Sequence, residues 1–136
     1  MVRSIHHINC IVRDLEAAIL VYERILGTPV AHREELQERG VRAARFKVGA
    51  TWLVLVQPTR TDSVPGRYLA EHGEGFFLMS LAVDSLADDL KRIGPDMAAG
   101  PQRSGAENWQ VQDLRRDRTF GAQLQLCDAG QLQVRW

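Results

Sequence analysis

Two short segments of the chain place polar side chains at alternate positions, and the polar types are those that handle carbonyl compounds. His7 and Asn9 alternate with apolar residues near the start, and Gln123 and Gln125 alternate with leucines near the end. Alternate residues of a β-strand share one face of a sheet. An imidazole exchanges protons near neutral pH, and an amide hydrogen-bonds a substrate oxygen. We therefore interpret His7 as a candidate catalytic acid or base, with Asn9 and Gln125 as candidate ligand-binding amides.

Structural interpretations of the same side chains stay open. A histidine on a strand can be a hydrogen-bonded core residue, and two amides can satisfy each other and water. His6 falls on the face opposite His7, where we expect a solvated or capping role. Cys127 shares the face of Gln125 but has no activating partner in the sequence, so a catalytic thiol is not predicted.

Hydrophobic periodicity predicts the elements that must position these residues. Apolar residues at helical spacing follow Asp14 and stop at Gly27, and runs rich in β-branched residues flank the pair Gly49 and Ala50. Helices are predicted at 15–26, 66–72 and 86–93, and strands at 5–12, 30–34, 41–48, 51–57, 76–83, 110–114 and 122–127, with a weaker strand at 97–102.

An internal repeat links the two halves of the chain. The segment from Val12 to Leu15 recurs, 71 residues later, as the segment from Val83 to Leu86, and the strand at 51–57 falls on 122–128. We predict an α+β fold of paired βαβββ modules, with helices behind a curved sheet whose concave face forms a cleft. All 136 residues would form one domain, with module 1 at about 5–58, a crossover at 59–75 and module 2 at about 76–128.

Strand alternation also assigns further side chains to the predicted cleft. A two-residue loop at Gly49 and Ala50 would place Arg45 opposite Val54 and Lys47 opposite Trp52. An arginine there could hold a carboxylate or an enolate, although a surface arginine is the plainer interpretation. The predicted substrate-binding residues are Asn9, Arg45, Trp52, Val54, Phe76, Leu78, Ser80 and Gln125.

Composition excludes several classes of partner. The 136 residues are 45% hydrophobic, and 17 basic residues balance 17 acidic ones. A neutral chain lacks the positive surface that nucleic-acid and anionic-membrane binding normally need. No apolar run reaches the roughly 20 residues that cross a bilayer, and no signal-peptide core follows Met1, so a cytoplasmic location is expected. Cys10 and Cys127 are expected to be free thiols.

Four segments carry a family resemblance that covers nearly the whole chain. They read "IHHINCIVRDLEAAILVYERILG", "VRAARFKVGATWLVLVQP", "DSVPGRYLAEHGEGF" and "FGAQLQLC". They resemble the vicinal oxygen chelate superfamily, which includes glyoxalase I, bleomycin-resistance proteins and extradiol dioxygenases, and the pattern is most similar to methylmalonyl-CoA epimerases. The resemblance implies the same paired βαβββ modules.

The resemblance also implies a divalent metal held by four side chains, one from the first and one from the last strand of each module. The equivalent positions here are His7, Val54, Leu78 and Gln125. Valine and leucine have no lone pair, and one imidazole with one neutral amide is a weak ligand set. The glutamates that the epimerases use to move a proton beside a thioester are also missing, because Val54 and Gln125 replace them. No metal and no other cofactor is therefore expected.

Three functions remain open. The first is a metal-independent isomerase or lyase acting next to the carbonyl of an acyl thioester or a related small acid. The second is a non-catalytic protein of the drug-resistance type that sequesters an aromatic or hydrophobic compound. The third, which the sequence favours least, is a metal-dependent epimerase with ligands shifted to rim residues such as Glu74. The expected partner is a small molecule, and a homodimer is predicted because strand 5–12 would otherwise expose a sheet edge.

Overall fold

The computed structural model describes residues 1–105 and 108–130 and consists of two βαβββ patterns joined by a helix. This element order confirms the predicted α+β fold class. The first pattern comprises β1 (Val2–Ile11), α1 (Leu15–Leu26), β2 (His32–Leu36), β3 (Val41–Val48) and β4 (Thr51–Pro58). The joining helix is α2 (Val64–His72), and the second pattern comprises β5 (Gly75–Val83), α3 (Leu86–Ile93), β6 (Arg103–Ser104), β7 (Gln110–Asp113) and β8 (Leu124–Asp128).

Two compact units divide the described residues. Residues 7–77 form the first unit, and residues 1–6 with the described residues from 78 onward form the second unit. Strand β1 contributes to both, since its first part belongs to the second unit and its last part to the first. That the whole chain is one domain stays a prediction.

Local signals set the bounds of α1. The Asp14 side chain caps the helix by accepting a hydrogen bond from the Ala17 amide at 3.1 Å. Gly27 ends it in the left-handed region, at φ 70°, which glycine adopts without steric cost. Leu15 and Ile19 then pack with Val12, which follows β1, and with the β1, β3 and β4 side chains Cys10, Ala44, Phe46 and Leu55 to form the core of the first unit.

The first unit orders its strands β2-β3-β4-β1. Strands β3 and β4 pair antiparallel around Gly49 and Ala50, so Val48 lies opposite Thr51, and β4 then pairs parallel with β1. The predicted two-residue loop and its register are thus confirmed.

The second unit orders its strands β1-β5-β8-β7-β6, with α3 behind them. Ser85 caps α3 by accepting from the Asp88 amide at 3.2 Å, 71 residues after the equivalent cap at Asp14. Leu86 of α3 packs against Val83, Leu114 and Leu126, which forms the core of this unit.

Several strand predictions are wrong in their bounds. Strand β1 begins at Val2 rather than 5, and β8 begins at Leu124 rather than 122. Residues 97–102 form no strand: Pro95–Met97 is a 3₁₀ turn, and β6 covers only Arg103–Ser104. Gly100 takes φ 70° and Pro101 has no amide hydrogen, so this stretch cannot sustain a ladder. Strand β2 begins at His32 rather than 30, because the Val30 amide donates to the Glu23 carboxylate at 2.9 Å.

The reason given above for a homodimer is also wrong. In the first unit β1 has β4 as its neighbour, and in the second unit it has β5, so it is not an edge strand. The homodimer therefore stays a prediction without its original argument, and light scattering at micromolar concentration would test it.

Among residues 1–105 and 108–130, none of the helices combines the length and the apolar character that crossing a bilayer requires.

Candidate functional site

The face of the first unit that points away from α1 carries most of the predicted site residues. The parallel register of β1 with β4 places His7 beside Trp52 and Asn9 beside Val54. The core residues Cys10 and Leu55 point to the opposite face, towards α1. Strand alternation therefore brings His7, Asn9, Trp52 and Val54 together, as the sequence predicts.

Strand β3 adds two cations to this face. The register places Arg45 opposite Val54 and Lys47 opposite Trp52. The Arg45 side chain is only 5% exposed, and its Nη1 lies 3.6 Å from Glu34 Oε1 on β2. The predicted orientation of Arg45 is confirmed, while the plainer interpretation as a surface arginine is wrong.

Trp52 lies under both cations. The Arg45 guanidinium carbon is 4.8 Å from the centre of the indole ring, and Lys47 Nζ is 4.5 Å from it. Both distances fall within the range of cation–π attraction. Burial, and then the positive charge of Arg45, lower the pKa of Lys47 below its ordinary value. Sequence reasoning placed Lys47 opposite Trp52 but did not count it as a site residue, although its alternation with Arg45 is the signal that identifies it.

The two β1 side chains of this face are enclosed to different extents. His7 is buried, and Asn9 is partly buried. The Asn9 Oδ1 atom itself is buried and accepts no hydrogen bond from the described residues. A buried amide oxygen without a donor is costly, so it is a natural point for a ligand donor to bind.

The first unit places two other candidates outside this arrangement. Phe76 is 76% exposed at the start of β5, where its carbonyl accepts a hydrogen bond from the Tyr68 hydroxyl at 3.3 Å. Glu74 accepts a hydrogen bond from the Arg13 amide at 2.8 Å, just ahead of α1. This contact gives Glu74 a structural role before the helix.

In the second unit, the predicted ligand-binding amide of Gln125 is held by two protein partners. The Ser80 hydroxyl donates to Gln125 Oε1 at 2.7 Å, and Gln125 Nε2 donates to Asp113 Oδ1 at 3.0 Å. Asp113 in turn accepts from Arg103 Nη1 at 2.5 Å. Ser80 and Gln125 are buried, and Leu78 on the same face of β5 is half-buried. Sequence reasoning missed Asp113, because only the pairing of β7 with β8 brings it opposite Gln125.

Cys127 and His6 lie close together in the second unit. A ring nitrogen of His6 is within 4.8 Å of Cys127 Sγ. His6 is buried and packs edge-on against Trp109 at 4.5 Å, so the expectation of a solvated His6 is wrong. Burial raises the pKa of the Cys127 thiol to about 12, although a hydrogen bond with Ser80 opposes the shift. Cys127 is therefore a neutral thiol at physiological pH.

The four positions that would hold a divalent metal can be tested unit by unit. In the first unit, Val54 offers no donor atom beside His7. In the second unit, Leu78 offers none, and both amide atoms of Gln125 bind Ser80 and Asp113. Hard divalent ions need several oxygen or nitrogen ligands. These residues do not fit the metal that the resemblance implies.

Comparison with known proteins agrees with the two βαβββ patterns. A family model described as Glyoxalase/Bleomycin resistance protein/Dioxygenase superfamily matches residues 4–119. The chain belongs to this superfamily.

The glyoxalase-superfamily chain resembles both a curated relative and solved structures. It is 26% identical over 125 residues to the uncharacterized protein YqjC of Bacillus subtilis, which spans 90% of this chain and 89% of that protein. A Streptomyces coelicolor methylmalonyl-CoA epimerase in complex with 2-nitronate-propionyl-CoA superposes with a TM-score of 0.84 and 29% identity, covering 93% of this chain and 97% of that one.

A Mycobacterium tuberculosis methylmalonyl-CoA epimerase superposes with a TM-score of 0.85 over 98% of this chain and 93% of that one. Its identity to this glyoxalase-superfamily chain is 24%, so this likeness shows the fold alone.

Proposed function

We propose that the protein is a metal-independent isomerase or lyase that acts on the carbon next to the carbonyl of an acyl thioester or a related small acid. The observation that carries this proposal is the face of the first unit, where a buried imidazole, an amide and a buried guanidinium share neighbouring register positions. The superposition on an epimerase that holds an acyl-CoA analogue supports this substrate class.

In this proposal His7 is the base. Its imidazole would accept the proton of the α-carbon, and the electron pair would pass to the carbonyl oxygen to form an enolate. The Arg45 guanidinium and the Asn9 amide group would donate hydrogen bonds to that oxygen, and fixed donors stabilise such a developing charge. The Asn9 Oδ1 atom would accept a hydrogen bond from the ligand.

The fate of the enolate decides the type of reaction. If His7 returns a proton taken up from solvent to the same face of the α-carbon, the substrate is regenerated with its hydrogen exchanged. If solvent protonates the opposite face of the planar enolate and the proton on His7 passes to solvent, the substrate is isomerised. If the electron pair instead forms a double bond to the β-carbon and expels a leaving group, the reaction is a lyase elimination. Neither course requires a metal or an external oxidant.

Hydrogen exchange tests the proposal directly. We would incubate chelator-treated protein with methylmalonyl-CoA and with propionyl-CoA in D₂O and follow the α-proton by NMR. We expect enzyme-dependent exchange that falls by about 100-fold or more in His7→Gln, which is the usual contribution of a general base. His72→Gln, at an exposed position of α2, is the matched control. Exchange that persists unchanged in folded His7→Gln would refute the role of His7.

The sequestration alternative rests on one observation, the apolar share of the same face. Trp52 and Val54 are partly buried there. If no α-proton exchange occurs while aromatic compounds quench tryptophan fluorescence, and Trp52→Leu abolishes that quenching, then a binding protein is the better account.

Metal independence has its own test. A metal-dependent epimerase with shifted ligands would hold about one equivalent of a divalent ion after dialysis and would lose α-proton exchange on chelation. We expect neither result, because Val54 and Leu78 supply no ligand atoms.

A further inference from the structure

We infer that Lys47 and Arg45 form an anion-binding pair over Trp52 that takes a carboxylate or phosphate group of the ligand. The inference deepens the proposed function, because it assumes that the ligand lies on this face of the first unit. It adds Lys47 as a specificity-determining residue that recognises the charge of the ligand.

The first support is geometric. Arg45 and Lys47 are alternate residues of β3, so their side chains leave the same face, and their register partners Val54 and Trp52 are alternate residues of β4. Both cationic groups lie within 5 Å of the Trp52 ring centre. The strand pairing therefore places two cations at one aromatic ring, and in the inferred site one anionic oxygen group of the ligand binds between them.

The second support is electrostatic. Two like charges that share one ring repel each other, and the lowered pKa of Lys47 reports burial and the charge of Arg45. Glu34, which is 23% exposed, lies 3.6 Å from Arg45, but it also lies 3.7 Å from His32 Nε2. A bound anion would favour the protonated form of Lys47.

Other charged or titratable groups face this pair and must be considered in any titration. Strand β2 contributes Glu34 and His32, with His32 opposite Arg45 in the register. Strand β1 contributes His7 opposite Trp52. The response of Lys47 is therefore compared with that of Lys91 in the same titration.

The experiment uses the fact that the chain has only two lysines, Lys47 and Lys91. Selective ¹³C labelling of lysine gives two side-chain NMR signals, and Lys91 lies exposed on α3 of the second unit as an internal control. We would titrate both from pH 8 to 12 in sodium chloride, and again with malonate, inorganic phosphate or coenzyme A at equal ionic strength.

We expect the Lys47 signal to titrate below the ordinary pKa of a lysine in chloride, because burial and the charge of Arg45 lower its pKa. At least one of the anions should raise the pKa of Lys47 by about half a unit or more and leave Lys91 unchanged. A response to malonate alone indicates a carboxylate on the substrate, whereas a response to phosphate and coenzyme A indicates the phosphate part of a thioester ligand. The absence of any shift, or an equal shift at Lys91, would overturn the inference.

Charge-deletion variants give a second readout. In Lys47→Gln, we expect the affinity of the anion that shifted Lys47, measured by calorimetry, to fall by about tenfold to a hundredfold, as loss of one charged hydrogen bond predicts. Lys91→Gln should not change it. Lys47 is half-buried, so this variant should fold even if a variant at buried Arg45 does not. Unchanged affinity in folded Lys47→Gln would count against the anion site.

The two proposals fail separately. If an anion raises the pKa of Lys47 but no α-proton exchange occurs, then the anion site is supported and the proposed enzyme activity is refuted. If α-proton exchange depends on His7 but no anion changes the pKa of Lys47, then the proposed enzyme activity is supported and the anion site is refuted.

Discussion

Replacing Ser80 with alanine removes the donor that fixes the Gln125 amide in the second unit. The Ser80 hydroxyl has no solvent exposure and donates to Gln125 Oε1 at 2.7 Å. In the variant this buried oxygen loses its partner, which costs about 1–3 kcal/mol. We therefore expect Ser80→Ala to lower the free energy of unfolding by about 2 kcal/mol, or the melting temperature by several degrees.

A double-mutant cycle with Gln125→Leu separates the hydrogen bond from other effects of the Ser80 substitution. Gln125→Leu also removes the donor to Asp113, but Asp113 keeps its contact with Arg103. Because Ser80 and Gln125 contact each other, the two substitutions should not be additive, and the coupling energy should be about 0.5–3 kcal/mol.

Urea unfolding followed by circular dichroism measures each corner of the cycle. Ser4→Ala, at an exposed position of β1, is the control and should change stability by less than about 0.5 kcal/mol. If Ser80→Ala costs no more than this control, or if the two substitutions are simply additive, then the buried network does not hold the Gln125 amide in place.

Two further predictions concern the thiol of the second unit and the connecting helix of the first. Because the pKa of Cys127 is about 12 when folded and 9.0 at its ordinary value, its stabilising contribution is complete below pH 9 and is lost between pH 9 and 12. The free energy of unfolding should fall over this pH range by up to about 1.4 kcal/mol per pH unit. This pH dependence should be weaker in Cys127→Ala. An equally steep pH dependence in the variant would contradict the raised pKa of Cys127. Gly66→Ala should lower the free energy of unfolding in urea by about 1–3 kcal/mol, because an added methyl group collides with the Arg60 carbonyl oxygen. A loss below about 0.5 kcal/mol would show that α2 can shift to accommodate the methyl group.

The sequence by itself determined the order of the elements of the first unit and the faces of β1, β3 and β4, but not the bounds of β2 or the exposure of Phe76. Strand β3 has the predicted bounds, and Arg45 lies opposite Val54, because the two-residue loop at Gly49 and Ala50 allows one register and alternation then assigns every side chain. The caps at Asp14 and Ser85 are equally local signals, since each side chain reaches an amide three residues ahead.

The second module was harder to predict, because its local signals are weaker. Its β6 has only two residues, in a stretch punctuated by proline and glycine, and its β7 has four. A longer connection joins β7 to β8, so no tight loop fixes their register in advance. The predicted strand at 97–102 is wrong because proline and glycine interrupt that stretch.

Only the tertiary structure decided which strands became neighbours, and with them the environment of each polar group. Strand β1 has β4 as a neighbour in the first unit and β5 in the second, so it is not an edge strand. Pairing of β7 with β8 brings Asp113 to Gln125, and Trp109 packs edge-on against buried His6. These contacts join residues far apart in the chain, so no local pattern encodes them. The sequence therefore determined which face each side chain takes, whereas burial and hydrogen-bond partners depended on strands that meet only in the folded protein.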